Sequence, residues 1–348
     1  MVRSLIEDVG EFRAFGMRGV SVNIRVTQID GTLPNLALMR LAAHHRKRGD
    51  QMHFTRVVRR ELFEPPYDVV YGSAIFKFSA DRVERFRREF PGAIVGGTGS
   101  GSDATVEGLI GDAVELDYSL YPAFGSSIGF TQRGCRLSCK FCVVPAKEGR
   151  PRAVATAAEI WRGPPWPKNL HLLDNDFFGQ ADWQARINEI RAGGFKVSFT
   201  QGINIRAMTP AVAEALSSVE YRCNEFRRRR LYTAWDNLKD EETFFRGVDM
   251  LDAAGIPPRH LMAFMLIGFD KRETWDRIHH RFDRMVERGI KPYPMPFDQT
   301  NRDLKRFQRW AVLGIHRIVP FSEYRAGFKT KRSAARRSDG DLFDGEAA

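Results

Sequence analysis

Short apolar runs alternate with helix-period stretches along most of this chain. In the first third, Val20 to Val26 reads as a strand. Residues 34–48 read as a helix, with Pro34 in its first turn and Gly49 just past its end. The apolar run from Asp68 to Ile75 suits a strand buried in a parallel sheet. Ser79 is placed to cap a helix running to Phe90, and Ala93-Ile94-Val95 forms a short strand that enters Gly96-Gly97-Thr98-Gly99-Ser100-Gly101. Ser102 or Asp103 is the candidate cap of the next helix. This alternation predicts a small doubly wound parallel sheet over residues 1–118.

From residue 125 the alternation restarts. Six strands are expected: Ser127 to Thr131, Leu170 to Leu173, Val197 to Thr200, Leu231 to Trp235, Leu261 to Ile267 and Pro292 to Pro296. The helical stretches between them carry their own punctuation. Thr209-Pro210 opens one as cap and first residue. Asp240 opens another, with Phe244, Val248 and Leu251 on one face and Gly255 beyond its end. A third spaces Trp275, Ile278, Phe282 and Met285 along a stripe before Gly289. Six strand–helix units in series predict a parallel barrel, whole or partial, over residues 119–320. Residues 321–348 are polar and read as disordered.

Composition adds limits. At 348 residues and 43% apolar content, two domains with sizeable cores are affordable. No run of about 20 apolar residues is present, so no membrane span is expected. The acidic, mixed N-terminus does not read as a secretory signal. The net charge of +11 is spread over Arg46-Lys47-Arg48, Arg59-Arg60, Arg227 to Arg230 and Lys329 to Arg337. That balance admits an RNA partner, although scattered basic runs without interleaved aromatics also describe solvated helix faces.

The cysteines change the picture most. Of four in the chain, three stand at Cys135, Cys139 and Cys142, with Phe141 directly before the last. Three thiolates can hold three irons of a four-iron cluster and leave the fourth open for chemistry. Such a site needs a reducing compartment, which points to the cytoplasm. The loop follows the first strand of the second series. In a parallel barrel, functional groups gather at strand C-termini. Asp174-Asn175-Asp176 follow the second strand, Gln201, Asn204 and Arg206 the third, Asp236 and Asn237 the fourth, Gly268 and Asp270 the fifth and Asp298 the sixth.

The Cys135-x3-Cys139-x2-Cys142 motif, its Phe141 and its place after the opening strand resemble the radical S-adenosylmethionine superfamily. The resemblance implies a [4Fe-4S] cluster on the three cysteines. It implies S-adenosylmethionine chelated on the open iron, a low-potential electron donor such as flavodoxin or ferredoxin, and a 5′-deoxyadenosyl radical that takes hydrogen from a substrate. It makes Phe141, Asp174, Asn175, Asn204, Arg206, Asp236 and Gly268 the candidate cofactor contacts. Asp174-Asn175-Asp176 stands where the superfamily usually has Gly-Gly-Glu. The first domain resembles the flavodoxin-like, cobalamin-binding-type module of one branch. That branch carries Asp-x-His-x-x-Gly, which this chain lacks; His44, His45 and His53 lie in another context. The likeness therefore implies the fold more than cobalamin itself. RNA modification and carbon methylation are the outcomes these features raise.

Other readings stand beside this one. The three cysteines could bind zinc with Cys223 or His171 as fourth ligand, or carry a cluster that only moves electrons. A basic, metal-stabilised nucleic-acid-binding protein without catalysis is the alternative from another class. The glycine run matches G-x-G but has Ser102 where a dinucleotide fingerprint wants glycine, so a tight strand-to-helix turn is the better reading. Cys223 reads as a packed thiol, and His279 and His280 as surface residues.

Overall fold

The computed structural model describes residues 21–111 and 113–325. The basic stretch Lys329 to Arg337 and most of the polar tail lie outside them. The chain divides into two compact units, Met1–Phe124 and Gly125–Ala348.

In the first unit, β1 (Asn23–Gln28), α1 (Leu36–Lys47), β2 (Gln51–Thr55), β3 (Val69–Ser73), α2 (Ala80–Glu89), β4 (Ile94–Gly96) and α3 (Val106–Ile110) follow one another. The sheet is wholly parallel, in the order β2-β1-β3-β4. Alternate strand residues point to opposite faces. Val69, Tyr71 and Ile94 join Ile24, Val26 and the α1 residues Leu38, Met39 and Ala42. Val70 and Val95 join Ala74 with Val83 and Phe86 of α2. Both faces are thus covered, as a doubly wound sheet requires. Asn35 caps α1 by accepting from the Leu38 amide at 3.2 Å, and Gly49 follows its end at φ +80°. Tyr121 fastens the end of the unit: its hydroxyl accepts from the Asn35 amide at 3.1 Å and donates to Gln28 Oε1 at 2.8 Å. The cap of α3 is Thr105, which accepts from the Gly108 amide at 3.1 Å; Ser102 and Asp103 lie in the turn before it.

The second unit contains β5 (Ser127–Gly129), β6 (Gln132–Arg133), α4 (Val144–Glu148), β7 (Arg152–Ala153), α5 (Ala157–Ile160), β8 (Asn169–Leu172), α6 (Trp183–Ala192) and β9 (Lys196–Phe199). After these come α7 (Pro210–Ser217), β10 (Glu220–Tyr221), β11 (Leu231–Ala234), α8 (Glu241–Ala253), β12 (Leu261–Ile267), α9 (Trp275–Glu287), β13 (Lys291–Pro296) and α10 (Arg302–Val312). Two parallel sheets result, β10-β9-β8-β5 and β11-β12-β13. They are stitched together just past β9, where the Ile203 amide donates to Tyr232 O at 2.7 Å and Thr233 Oγ1 donates to Ile203 O at 3.1 Å. One strand face packs Leu170, Leu172, Val197, Phe199, Leu231, Ala263 and Met265 into the helical core. The residues between them, His171, Ser198, Tyr232, Phe264 and Tyr293, are aromatic or polar and point the other way. Among the described residues, no helix is long and apolar enough to cross a membrane.

Candidate functional site

Past β5 the chain makes a closed excursion. β6 and β7 pair antiparallel and form its neck, with Gln132 opposite Ala153 and Arg133 opposite Arg152. Gly134 stands in the neck at φ +91°, where a Cβ would sit 2.3 Å from Arg150 O, so no other residue fits. The three cysteines lie in the loop between the two strands, all half-buried. Inside the loop, the Cys142 amide donates to Cys139 O at 2.9 Å and the Leu137 amide to Cys135 Sγ at 3.4 Å.

The segment after β8 clasps this loop at three points. Asp174, 3% exposed, accepts from Thr131 Oγ1 at 3.2 Å and from the Gln132 amide. Burial pushes its carboxyl up to about 7. Asp176, 1% exposed, takes a fork from Arg136: Nε at 2.8 Å and NH2 at 2.9 Å, with the Arg136 amide at 3.1 Å. Asn175 Nδ2 donates to Glu148 Oε2 at 3.1 Å, and Glu148 also holds Arg133 and the Gly134 amide. Asp174 and Asn175, expected as cofactor contacts, are thus bonded to the loop itself.

The other strand ends reach the loop too. Arg206, after β9, places NH2 3.2 Å from Cys139 Sγ and NH1 3.4 Å from Asp240. Asp236, after β11, accepts from the Leu266 amide at 2.9 Å. Burial raises its pKa, and burial likewise pushes up the Cys142 thiol, with Cys139 and Asp236 adding to it. Phe141 packs edge-on against Phe269 after β12, at 5.5 Å between ring centroids, and Phe269 packs on Phe297 after β13 at 4.9 Å. Gly268 has a structural reason for its identity: φ is +78°, and a Cβ would meet Leu304 Cδ1 at 2.5 Å. Its amide donates to Glu273 at 2.8 Å. Fully buried Arg281 binds Glu273 and holds the β11 and β12 ends through Trp235 O at 2.8 Å and Leu266 O at 3.0 Å.

Burial pushes the Cys135 and Cys142 thiols up, and for Cys135 the Asp176 carboxylate and the other two cysteines add to it. Metal binding must therefore supply the free energy to deprotonate them. A single zinc at about 2.3 Å from each thiolate needs sulfurs about 4 Å apart. Among the described residues, no set of three ligand atoms within 4.8 Å of one another includes a cysteine; the one such set is His53, Glu61 and Glu64. His171 is buried with its ring against Phe226, and Cys223 is buried, 1% exposed. Several polar atoms by the loop are buried without a hydrogen-bond partner: Gln132 Oε1 and Arg133 Nε in its neck, and Asn204 Nδ2, two residues from Arg206. Asn204 Nδ2 is thus a donor with no partner within the chain.

Arg136, Glu148, Phe269 and Phe297 were not among the residues picked from sequence. Arg136 and Glu148 lie within or beside the cysteine loop, where ionic residues at its neck were the available signal. Comparison with known families, curated proteins and solved structures gives no match.

Proposed function

We propose that this protein is a radical S-adenosylmethionine enzyme, with the second unit a partial (β/α)6 barrel and the first a flavodoxin-like module. The observation that carries the reading is the convergence on one cysteine loop of groups from the ends of β8, β9, β11 and β12: Asp176, Arg206, Asp236, and Phe269 edge-on to Phe141. Cys135, Cys139 and Cys142 would hold a [4Fe-4S] cluster. When bound, that cluster supplies a low-potential electron to cleave S-adenosylmethionine to methionine and a 5′-deoxyadenosyl radical, which takes hydrogen from the substrate.

The chain's own residues have separable tasks. Asp174, Asn175 and Asp176 set the loop's position and leave its thiols free of strong internal bonds. Arg206 places its guanidinium 3.2 Å from Cys139 Sγ, a positive charge that would offset the negative charge of a thiolate-held cluster. Asn204 offers an unspent donor, and Asp236 an acceptor next to Cys142. Phe141 and its partners shield one side of the loop from water. The electron comes from a reductase-type partner such as flavodoxin or ferredoxin.

The test is anaerobic reconstitution with iron and sulfide, reduction, and measurement of 5′-deoxyadenosine. Turnover dependent on S-adenosylmethionine is expected, and replacing any one of the three cysteines by alanine should abolish cluster loading and product. One zinc per chain with no acid-labile sulfide would overturn the reading and favour a metal-stabilised nucleic-acid binder.

A further inference from the structure

We infer that His53, Glu61 and Glu64 of the first unit form a binding site for one divalent transition-metal ion. One ligand atom from each of the three lies within 4.8 Å of the others. His53 is on the edge strand β2, and both glutamates are on the loop that leads from β2 to β3. The site is built from beneath by Arg25, which is 0% exposed and whose guanidinium holds Glu64 through one oxygen while its other nitrogens bond elsewhere. Its Nε donates to Thr27 Oγ1 at 3.1 Å, its NH2 donates to Val57 O at 2.6 Å and Arg59 O at 3.2 Å, and its NH1 pairs with Glu64 Oε1. Its face rests on Phe90 at 4.4 Å.

The independent sign of a ligand is the set of atoms left over. The Glu64 side chain is only 3% exposed, yet its second oxygen, Oε2, is buried without a partner. His53 Nε2, 3.7 Å from Glu64 Oε1, is also buried and makes no hydrogen bond. The Tyr67 hydroxyl, on a ring 5.7 Å from the imidazole, is a third buried atom with nothing to bind. Glu64 Oε2 is an acceptor without a donor, and His53 Nε2 is another in the Nδ1–H tautomer; leaving both buried and unpaired is unfavourable. A cation between them satisfies the imidazole lone pair and both carboxylates at once. One imidazole and two carboxylates suit manganese, iron or zinc better than calcium or copper(I). Glu61 is exposed, which leaves a route for the ion. A bound ion would tie the loop to β2, and with it the exposed tip residues Leu62 and Phe63.

The experiment is a manganese(II) titration of chelator-treated full-length protein, following the free aqua ion by electron paramagnetic resonance. Manganese is the probe because its preference for oxygen and nitrogen donors keeps it off the cysteine loop. One saturable site is expected in the parent chain. His53→Ala and Glu61→Gln, which both leave the Arg25–Glu64 pair in place, should each weaken it by at least about tenfold. Manganese should also raise the Tm of the parent chain and not that of either variant. No saturable binding in the millimolar range, or parent-like affinity in either variant, overturns the proposal.

Discussion

Each unit ends its parallel strands in a loop-rich face, and the two faces are finished differently. In the first unit the chain fills the ends of β1, β3 and β4 itself. Asp30 accepts from the Ile75 and Phe76 amides at 2.7 and 2.9 Å, and the glycine run lies directly on the backbone after β3. In the second unit the strand ends hold a loop in place but leave its thiols, the Arg206 guanidinium and Asn204 with capacity to spare. Similar topology therefore does not confer similar readiness to bind. What decides is whether the polar groups at the strand ends are spent on backbone or on a loop that presents something else.

The sharpest way to break this contrast is Gly97→Ala. Gly97 has φ +95°, and a Cβ would lie 2.2 Å from Ala74 O, so the backbone contact that closes the first unit could not form. A loss of about 3 kcal/mol in denaturant unfolding is expected, from left-handed strain plus overpacking. Gly49→Ala is the control, since φ is +80° but nothing lies within 4 Å, and only about 1 kcal/mol should be lost. Equal losses in the two variants would show that the glycine run is a turn and not a closure.

The second unit's clasp can be tested through pH. Asp174 sits near 7 instead of the ordinary 3.8 because it is buried. Between those values the folded protein holds a proton that the unfolded chain has released, so stability is greatest at low pH and falls as pH rises toward 7. Asp174→Asn removes this dependence while keeping an oxygen to accept from Thr131 and Gln132. Measured by urea unfolding of the apoprotein, the parent chain should lose about 2 kcal/mol more than the variant between pH 5 and pH 8. Parallel profiles would mean that the carboxyl is not buried as described.

Much of the fold was legible because alternation and punctuation agree. All six expected strands of the second unit are found, and Thr209 caps α7 by accepting from the Val212 amide at 3.3 Å. Strands β2, β6, β7 and β10 were not read from sequence. Gln51–Thr55 lies at a sheet edge and is only partly buried, so it has no apolar run, and Glu220–Tyr221 is too short for any period. Ser79 and Asp240 begin their helices but make no side-chain cap bond. Trp275 follows the helical stripe yet is 39% exposed, and His279, read as a surface residue, is half-buried against Phe307 and Phe321. Of the site, the cysteines and Arg206 were legible from their positions after strands. The clasp was not, because Asp174 and Asp176 look alike in sequence whether they face a ligand or a loop. Only packing separates the two, and it turns both carboxylates onto the loop.

Asn204→Ala has the smallest expected effect on stability and the most to say about the contrast. The Asn204 side chain makes no cap bond to the turn it begins, and its Nδ2 is a buried donor without an acceptor. Deleting an unsatisfied donor removes a penalty as well as a contact, so the apoprotein should keep its stability within about 0.5 kcal/mol. If that donor serves a cofactor, the variant should bind S-adenosylmethionine about tenfold more weakly in equilibrium dialysis with the reconstituted, unreduced protein, one hydrogen bond's worth. A loss of stability above about 1 kcal/mol with unchanged affinity would assign Asn204 to the fold. The second unit's strand ends would then be spent on their own chain, as the first unit's are, and only the thiols and Arg206 would remain to distinguish the two faces.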